Sequence, residues 1–437
     1  MTHKKKLAII TLGCQMNRHD SEWLAGALAD EYEYTENETQ ADFLVVNTCA
    51  VRDKAEAKFF SLMGRLRPLK HQNKNLVVGV AGCIAQERGE ALVRREPIID
   101  LVFGTRAVHK VPSMLKQFEE TGRPQVDTSS ESAFDEFPMR RESSISAWVA
   151  IMRGCNNACS YCIVPQTRGP EESRPVESIL NEVRNLAEKG YKEITLLGQN
   201  VNSYGMNLSP RATFPELLRR IHAVCGDMRI RFVTSHPKDM SDELISAMAE
   251  LPGICPSMHL PIQSGSDRIL SLMNRNYTAA HYFDRVEKLK AKVPDLSITT
   301  DIIVGFPGEA ESDFEQTVQA VLQARYDNIY LFKYSPRPGT EAEKLMDRVD
   351  PVVAQTRFDR ILVMQKRITK ERFKEMTGRD SELLVEGPSK RDPARYCGRN
   401  PQNMMVNFGS DKDLTGRFVH VKITGSGQHS LEGKLAG

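Results

Sequence analysis

The chain has 437 residues, of which 40% are hydrophobic and 27% are charged, and its net charge is +2. These proportions are typical of a globular protein, and the length predicts roughly two to four domains, of which we expect three. The sequence has no apolar stretch long enough to span a bilayer and no signal-peptide core, so we expect a cytoplasmic protein. The charge neither requires nor excludes a nucleic-acid partner.

The N-terminal part alternates short apolar runs with amphipathic helical patterns. Helical patterns include residues 20–30 and 53–66, and predicted strands cover residues 7–12, 43–47, 76–80 and 98–103. Such alternation predicts a doubly wound parallel sheet covered on both faces, at residues 1–122. A linker rich in Ser, Glu, Asp, Arg and Pro follows at residues 123–145.

A second alternation predicts a partial (β/α)6 barrel at residues 146–375. Its predicted helices include 176–189, 241–251, 278–291 and a long one at 351–376, and its predicted strands are 147–152, 193–197, 229–234, 257–262, 298–304 and 328–334. The last segment, residues 376–437, has short strand patterns at 383–385, 404–407, 418–423 and 430–434, separated by Gly, Asn and Asp. That texture predicts a small antiparallel β-barrel.

Three closely spaced cysteines, Cys155, Cys159 and Cys162, follow the first predicted strand of the barrel. The cysteine count of nine is odd, and a chain without an export signal favours thiolate chemistry over disulfides. Three thiolates can hold three irons of a 4Fe-4S cluster and leave the fourth open. The alternatives are zinc on the Cys159 and Cys162 pair, which would need a closed set of four ligands, or inert thiols.

Three other cysteines, Cys14, Cys49 and Cys83, each come just after a predicted N-terminal strand. The carboxyl ends of parallel strands share one edge of a sheet, so these thiols are expected to converge on a second, auxiliary cluster. The alternative is that each is a buried apolar residue. The remaining Cys225, Cys255 and Cys397 show no pattern, and we expect them to be inert.

The spacing of Cys155, Cys159 and Cys162, with Tyr161 before the last, resembles the radical S-adenosylmethionine superfamily. The three-part organisation resembles the methylthiotransferases within it, and most closely the MiaB type. The segments that carry this resemblance are GCQMN at 13–17, NTCAVR at 47–52, CIVP at 162–165, LGQNVN at 197–202, HLPIQSGS at 259–266, DIIVGFPGE at 301–309 and YSPRPGT at 334–340. One departure is Gln166, where a tyrosine is usual.

The resemblance implies two 4Fe-4S clusters and two molecules of S-adenosylmethionine per turnover. One molecule methylates a sulfur carried at the auxiliary cluster, and the other is split reductively at the Cys155, Cys159 and Cys162 cluster. Carried over by motif, Tyr161 lies near the cofactor's adenine, Gly198, Gln199 and Asn200 near its amino-acid end, and Gln263 near its ribose. A structural role at the end of a strand is an equal alternative for Gln263. No acid or base residue is assigned.

The implied reaction inserts a methylthio group at carbon 2 of N(6)-dimethylallyladenosine at tRNA position 37, beside the anticodon. The implied partners are that tRNA, an electron donor such as flavodoxin or ferredoxin, and a sulfur donor, and we expect a monomer without a membrane. The C-terminal segment resembles the RNA-binding TRAM domain, with LVEG at 384–387 and VNF at 406–408. Its candidate RNA-facing residues are Arg391, Arg395, Arg399 and Lys422, although interleaved acids make charge alone a weak argument. Phe408 and Phe418 are available for packing or for base stacking.

Two kinds of alternative stay open at this point. A related enzyme would methylthiolate threonylcarbamoyl-adenosine in tRNA or a ribosomal protein side chain. A non-catalytic cluster carrier or redox sensor would need no cofactor pocket.

Overall fold

The computed structural model describes residues 4–50, 53–129 and 139–436. They form two compact units. The first consists of Met1–Glu142, Met152–Asn157 and Cys162–Arg174, and the second of Ser143–Ile151, Ala158–Tyr161 and Pro175–Gly437. None of the helices in the described ranges is long and apolar enough to cross a membrane.

The first unit is built on a six-stranded parallel sheet. Its strands are β1 (Lys5–Thr11), β2 (Tyr32–Tyr34), β3 (Phe43–Thr48), β4 (Val77–Gly82), β5 (Leu101–Phe103) and β6 (Gln125–Asp127), in the spatial order β2-β1-β3-β4-β5-β6. The two short strands β2 and β6 were not predicted. In particular, β6 lies in the span predicted as a linker, where three residues are too few to show an apolar period. Residues 130–138 of that span lie outside the described residues.

Helices cover both faces of this sheet, as the sequence predicted. They are α1 (Gln15–Ala27), α2 (Asp53–Gln72), α3 (Cys83–Arg88), α4 (Glu90–Arg95) and α5 (Val111–Thr121). Successive side chains of a strand point to opposite faces. Phe43 and Val45 of β3 therefore pack in a core with α1 and α5, while Leu44 and Val46 pack in a core with α2, α3 and α4.

The chain then passes into the second unit and returns to the first around the second cysteine motif. Strand β7 (Ser146–Ala150) belongs to the second unit. Strand β8 (Met152–Arg153), helix α6 (Val164–Arg168) and strand β9 (Glu172–Ser173) belong to the first, where β8 and β9 pair antiparallel. Ile163, just before α6, is buried in the same core as Cys83.

The second unit contains the partial (β/α)6 barrel. Its parallel strands are β7, β10 (Glu193–Leu197), β11 (Arg229–Phe232), β12 (Ser257–His259), β13 (Ser297–Val304) and β14 (Asn328–Lys333). They pair as two sets of three, and the parallel bridge from Ile230 to Ile254 connects the sets. The outer helices are α7 (Val176–Glu188), α8 (Phe214–Val224), α9 (Asp242–Glu250), α10 (Asp267–Leu272), α11 (Ala279–Lys292) and α12 (Glu311–Ala324).

A long helix, α13 (Pro351–Met376), leads to the C-terminal barrel. Asp350 caps its N-terminus by accepting from the Val352 amide at 2.7 Å. The barrel strands are β15 (Asp380–Pro388), β16 (Arg395–Arg399), β17 (Met405–Gly409), β18 (Phe418–Ser426) and β19 (Leu431–Leu435), closed in the order β15-β16-β17-β19-β18.

The barrel differs from the prediction in two respects. Its pairs are antiparallel except for β17 with β19, which is parallel. Strand β16, with the sequence RYCGR, was not predicted because it has no alternation of apolar and polar residues. The barrel has an apolar core in which Val406, Phe408 and Leu431 are fully buried.

Candidate functional site

Three cysteine-bearing turns meet at the carboxyl edge of the first sheet. Cys14 is the N-terminal cap of α1, Cys49 follows β3, and Cys83 opens α3 directly after β4. Because β1, β3 and β4 are neighbours in the sheet, the turns that leave them are neighbours too. Cys49 and Cys83 are buried, whereas Cys14 is exposed. The predicted convergence of three turns is thus present in the first unit.

Two glycines allow these turns to approach one another closely. At Gly82, whose φ is +88°, a Cβ atom would lie 2.3 Å from the carbonyl oxygen of Thr48. At Gly13, whose φ is +141°, a Cβ atom would lie 2.7 Å from the Cβ of Cys49. Side chains are excluded at both positions by space and by backbone conformation.

Two buried asparagines brace the same turns. The Asn17 amide donates to the Asn47 Oδ1 atom at 3.0 Å and to the Thr48 carbonyl at 2.9 Å. Asn47 donates in return to the Asn17 carbonyl at 2.8 Å. The Cys14 thiol lies 3.1 Å from the Asn17 Oδ1 atom. These bonds fix the loop after β3 against the start of α1, and with it the position of Cys14 relative to Cys49.

A buried ion pair lies beside the three turns. The guanidinium of Arg168, at the end of α6, is 2.9 Å from the Asp20 carboxylate of α1, and both side chains are largely buried. Burial alone would lower the pKa of Arg168, but Asp20, Cys83 and Cys14 outweigh it and raise that pKa. Burial also opposes ionisation of Asp20, yet Arg168 leads the groups that lower its pKa below the usual range. The pair is therefore charged and lies within electrostatic range of two of the three thiols.

The backbone around Arg168 is clamped by the segment after β5. The Thr105 hydroxyl donates to the Thr167 carbonyl at 2.6 Å, and the Arg106 Nε atom donates to the Arg168 carbonyl at 3.0 Å. Arg106 also donates to the Pro170 carbonyl at 2.7 Å. The segment that follows Cys162 is thus held by the same sheet edge that carries the three-cysteine turns.

The second motif is divided between the two units. Cys155 and Cys162 belong to the first and Cys159 to the second, and all three are partly exposed. In the first unit the Cys155 amide donates to the Gly169 carbonyl at 3.2 Å. In the second unit the Ser160 amide donates to the Met273 carbonyl at 3.0 Å, and the Asn274 amide donates to the Ala158 carbonyl at 2.7 Å. The loop is therefore held by hydrogen bonds at both ends.

Cys159 lies beside a buried cation in the second unit. The Arg275 Nη1 atom is 3.4 Å from the Cys159 sulfur and 3.4 Å from the Tyr161 hydroxyl. Burial disfavours the charge of Arg275, but Tyr161, Tyr277 and Cys159 outweigh it and raise the Arg275 pKa. His236 lies 4.0 Å from the same sulfur, and burial, assisted by Arg275, lowers the pKa of His236 to about 2. A neutral imidazole and a guanidinium suit a thiolate that binds iron.

Tyr161 belongs to an apolar cluster with Ile269, Met273, Ile303 and Phe306. Its ring meets that of Phe306 edge to face, with centroids 6.5 Å apart. The phenol is thus placed between an apolar wall and the guanidinium of Arg275.

Several buried polar atoms at the carboxyl ends of β10 and β11 lack a hydrogen-bond partner in the part of the chain that the structure describes. They are Gln199 Oε1, Asn200 Oδ1, Asn202 Oδ1 and Ser235 Oγ. Buried polar groups are normally satisfied, so unsatisfied acceptors at this edge indicate a polar ligand. The carboxyl edge of these strands can therefore hold a polar ligand, and Gln199 and Asn200 are among the residues that the sequence selected.

Gln263 has the strained backbone typical of a functional position. Its φ is +69°, in the left-handed region that glutamine rarely adopts. Its amide donates to the Asp301 carbonyl at 2.9 Å, and its carbonyl accepts from the Ile303 amide at 3.0 Å. The hydrogen bonds to β13 support the structural alternative, and the strain supports a ligand contact, so a role in binding ribose stays a prediction.

Gly305 and Glu309 form a turn that is structural in this fold. The Glu309 carboxylate accepts from the Gly305 amide at 2.7 Å and from the Arg357 Nη1 atom at 2.8 Å. The Glu309 and Arg357 side chains are buried. The pair joins the loop after β13 to helix α13.

Neither set of three cysteines is arranged around a single metal ion. Within the described ranges, no three His, Cys, Asp or Glu side chains are close enough to hold one metal ion. In a cluster each thiolate binds a different iron, which demands more space between the sulfurs. All nine cysteines lie in the described ranges, and none of them forms a disulfide.

Comparison with known proteins agrees with this arrangement. Family models match the chain as uncharacterized protein family UPF0004 at residues 6–104, the radical SAM superfamily at 149–321 and the TRAM domain at 374–436. The tRNA-2-methylthio-N(6)-dimethylallyladenosine synthase of Thermoanaerobacter sp. (strain X514) is 47% identical over 98% of this chain and 92% of its own. The synthase of the same name from Syntrophus aciditrophicus (strain SB) is 46% identical over 99% of this chain and 95% of its own. The chain belongs to the tRNA-2-methylthio-N(6)-dimethylallyladenosine synthase family.

A solved structure shares the fold of this synthase family. It is a radical S-adenosylmethionine methyltransferase, TsrM, from Kitasatospora setae, with cobalamin and a 4Fe-4S cluster bound. The TM-score is 0.57 at 16% identity, over 78% of this chain and 77% of that one.

Sequence reasoning missed four residues around the sites of this family member. All four lie outside the motifs that carry the resemblance. Arg168, Arg275 and His236 are buried, the Asp20 side chain is largely buried, and only the fold brings these residues to the cysteines. No pattern of spacing in the sequence marks them.

In the TRAM barrel, packing and base stacking were both possible for two aromatic residues. Phe408 is fully buried in the barrel core, so it is not available for base stacking. The ring of Phe418 lies under the guanidinium of Arg229, with 4.7 Å between its centroid and Cζ. Among the basic candidates, Arg395 pairs with Glu432 and Arg399 pairs with Glu386, whereas Arg391 and Lys422 are exposed. Cys225 and Cys255 are buried, and Cys397 is partly exposed.

Proposed function

We propose that this chain inserts a methylthio group at carbon 2 of N(6)-dimethylallyladenosine at position 37 of tRNA. The observation that carries the proposal is the convergence of the Cys14, Cys49 and Cys83 turns in a chain that also holds a radical S-adenosylmethionine motif. Relatives that are 44% to 47% identical over nearly the whole chain carry the corresponding name.

The proposal assigns a cluster to each cysteine set. Cys155, Cys159 and Cys162 would hold the cluster that binds S-adenosylmethionine, and Cys14, Cys49 and Cys83 would hold the auxiliary cluster. The bound groups supply electron transfer, a carbon radical and an activated sulfur, which no side chain can provide. Two molecules of S-adenosylmethionine per turnover, a protein reductant such as flavodoxin or ferredoxin, and a separate sulfur donor belong to this proposal.

The protein contributes binding, orientation and exclusion of water. Arg275 stabilises the thiolate of Cys159, and Tyr161 offers a ring against which an adenine can pack. Gln199 and Asn200 offer unsatisfied acceptors to the N–H groups of the cofactor's amino group. No proton transfer by a side chain is required, because abstraction of a hydrogen atom by a radical needs neither acid nor base.

Mass spectrometry of nucleosides from total tRNA tests substrate and reaction together. In a strain lacking this protein, 2-methylthio-N(6)-dimethylallyladenosine is expected to disappear while its precursor without the methylthio group accumulates. The wild-type gene should restore the nucleoside, and Cys159→Ala or Cys83→Ala should not. An unchanged nucleoside profile would indicate that the substrate is a ribosomal protein. Loss of a methylthiolated threonylcarbamoyl-adenosine would indicate that the substrate is that nucleoside.

A further inference from the structure

Arg168 is a buried charge of the first unit that the proposed function does not use. Arg168 is 6% exposed, and within the described residues its Nη2 atom has no hydrogen-bond partner. Only its Nη1 atom meets the Asp20 carboxylate. A buried guanidinium N–H without an acceptor is destabilising, so it indicates an acceptor other than the described residues.

Two further arginines lie around Arg168. Arg106 and Arg153 are also largely buried in this region, and Glu172 and Asp20 are acids that stabilise the charge of Arg153. Burial lowers the pKa of Arg153 to about 10, and the neighbouring Arg106 and Arg168 contribute to that lowering. Each cation here would be stabilised by one further negative charge.

The three-cysteine turns lie beside Arg168 in the first unit. Cys83 and Cys14 lie within electrostatic range of the Arg168 guanidinium, and α6 packs against α3, the helix that Cys83 opens. Thr105 and Arg106 hold the backbone of Arg168 at this edge.

We propose that Arg168 is a positioning residue of the Cys14, Cys49 and Cys83 site, whose Nη2 group donates to an anionic sulfur ligand of the hydrosulfide class. The inference rests on the proposed function, which assigns an auxiliary cluster with an open iron to these cysteines. Asp20 orients the guanidinium through Nη1 and leaves Nη2 free for the sulfur. The sulfur ligand would supply the hydrogen-bond acceptor that the Nη2 group lacks among the described residues.

The test uses the full chain with Cys155, Cys159 and Cys162 all changed to Ala, so that only the auxiliary cluster reports. Hydrosulfide binding is measured by titrating sodium hydrosulfide against the electron paramagnetic resonance signal of the reduced cluster, together with the cluster's midpoint potential. Arg168→Met is expected to weaken hydrosulfide binding about tenfold or more and to lower the potential, since a positive charge is lost. Arg168→Lys should recover part of both.

Asp20→Asn distinguishes an electrostatic effect from a loss of structure, because removing a negative charge should raise the midpoint potential of the auxiliary cluster. A merely structural role would shift both variants in the same direction or reduce their iron content equally. If the parent variant binds no cluster at all, the proposed function fails. If it binds a cluster and Arg168→Met leaves both hydrosulfide affinity and potential unchanged, the assignment of Arg168 is wrong while the proposed function stands.

Discussion

The Nη1 atom of Arg275 lies 3.4 Å from the sulfur of Cys159, and the same side chain donates from Nη2 to the Pro261 carbonyl at 3.0 Å. A cation so close to a thiolate favours the electron-rich state of the cluster that the thiolate would hold. It also links the cysteine loop to the end of β12. Arg275 therefore connects the sulfur of Cys159 to the end of a barrel strand.

Replacing Arg275 by Met is expected to slow reductive cleavage of S-adenosylmethionine by about tenfold to a hundredfold. A hydrogen bond to a charged group contributes about 1.5 to 3 kcal/mol, which corresponds to that range. The measurement is 5'-deoxyadenosine formation with dithionite as reductant, alongside iron content and midpoint potential.

Arg268→Met is the matched control for this change, because Arg268 is half exposed and meets Asp313 instead of a cysteine. It should leave cleavage unchanged. An Arg275→Met enzyme with normal iron content, potential and cleavage rate would show that the cation has no part in the cluster's chemistry.

Gly82→Ala is expected to remove the auxiliary cluster and spare the other one. The added methyl group would lie 2.3 Å from the Thr48 carbonyl, at a φ of +88° that alanine avoids. The turn that carries Cys83 must then move away from Cys49. Iron analysis of the reconstituted protein should fall from about eight to about four irons per chain.

Gly64→Ala serves as the control, since Gly64 lies within α2 with nothing within 4 Å of the position its Cβ would take. It should keep its iron and gain about 0.5 to 1 kcal/mol in free energy of unfolding. Full iron content in Gly82→Ala would mean that the close approach of the two turns is not needed for the site.

The positions of the three cysteine-bearing turns could be predicted from the sequence, but the contacts among them could not. Alternating strands and helices place Cys14, Cys49 and Cys83 at one edge, because a parallel sheet allows few arrangements. Arg168 and Asp20 are 148 positions apart in the chain, and no local pattern connects an ion pair of that separation. The burial of Phe408 could not be predicted either. An aromatic residue in a short strand can face the core or the surface, and only the closed barrel shows that Phe408 faces the core.

The free energy of unfolding should depend on pH through Glu309. Burial raises the pKa of Glu309 above its ordinary value of 4.5, although the Gly305 amide and Arg357 act in the other direction. A raised pKa in the folded state means that the stabilisation is fully present below pH 4.5 and is lost as the pH rises through the folded value. Glu309→Gln cannot titrate, so wild type minus variant should decline across that window.

Urea denaturation of both proteins in a series of buffers from the ordinary carboxyl pKa upward measures this difference. Glu311→Gln is the control, because Glu311 meets the same Arg357 but its side chain is 65% exposed. Its difference from wild type should be nearly constant with pH. A constant difference for Glu309→Gln as well would show that Glu309 is not titrating anomalously.

Arg229 joins the TRAM barrel to the (β/α)6 barrel within the second unit. It donates to the Arg399 carbonyl at 2.9 Å and to the Glu382 carboxylate at 2.7 Å, and its guanidinium lies over the Phe418 ring. Loss of the three hydrogen bonds that the guanidinium donates and of the ring contact should loosen the TRAM barrel, at a cost of about 2 to 4 kcal/mol. Because the proposed role of that barrel is to hold tRNA, Arg229→Met should raise the KM for tRNA about tenfold.

Cleavage of S-adenosylmethionine without tRNA should be unchanged in Arg229→Met, since no cysteine or cofactor residue contacts Arg229 among the described hydrogen bonds. Arg219→Met, which loses a half-exposed ion pair with Glu250 on the helical surface, should match wild type in both assays. Faster proteolysis near the start of β15 in Arg229→Met would report the loosened barrel directly. A raised KM without faster proteolysis would instead indicate that Arg229 itself binds RNA, and equal decline of both activities would place its role in the stability of the second unit.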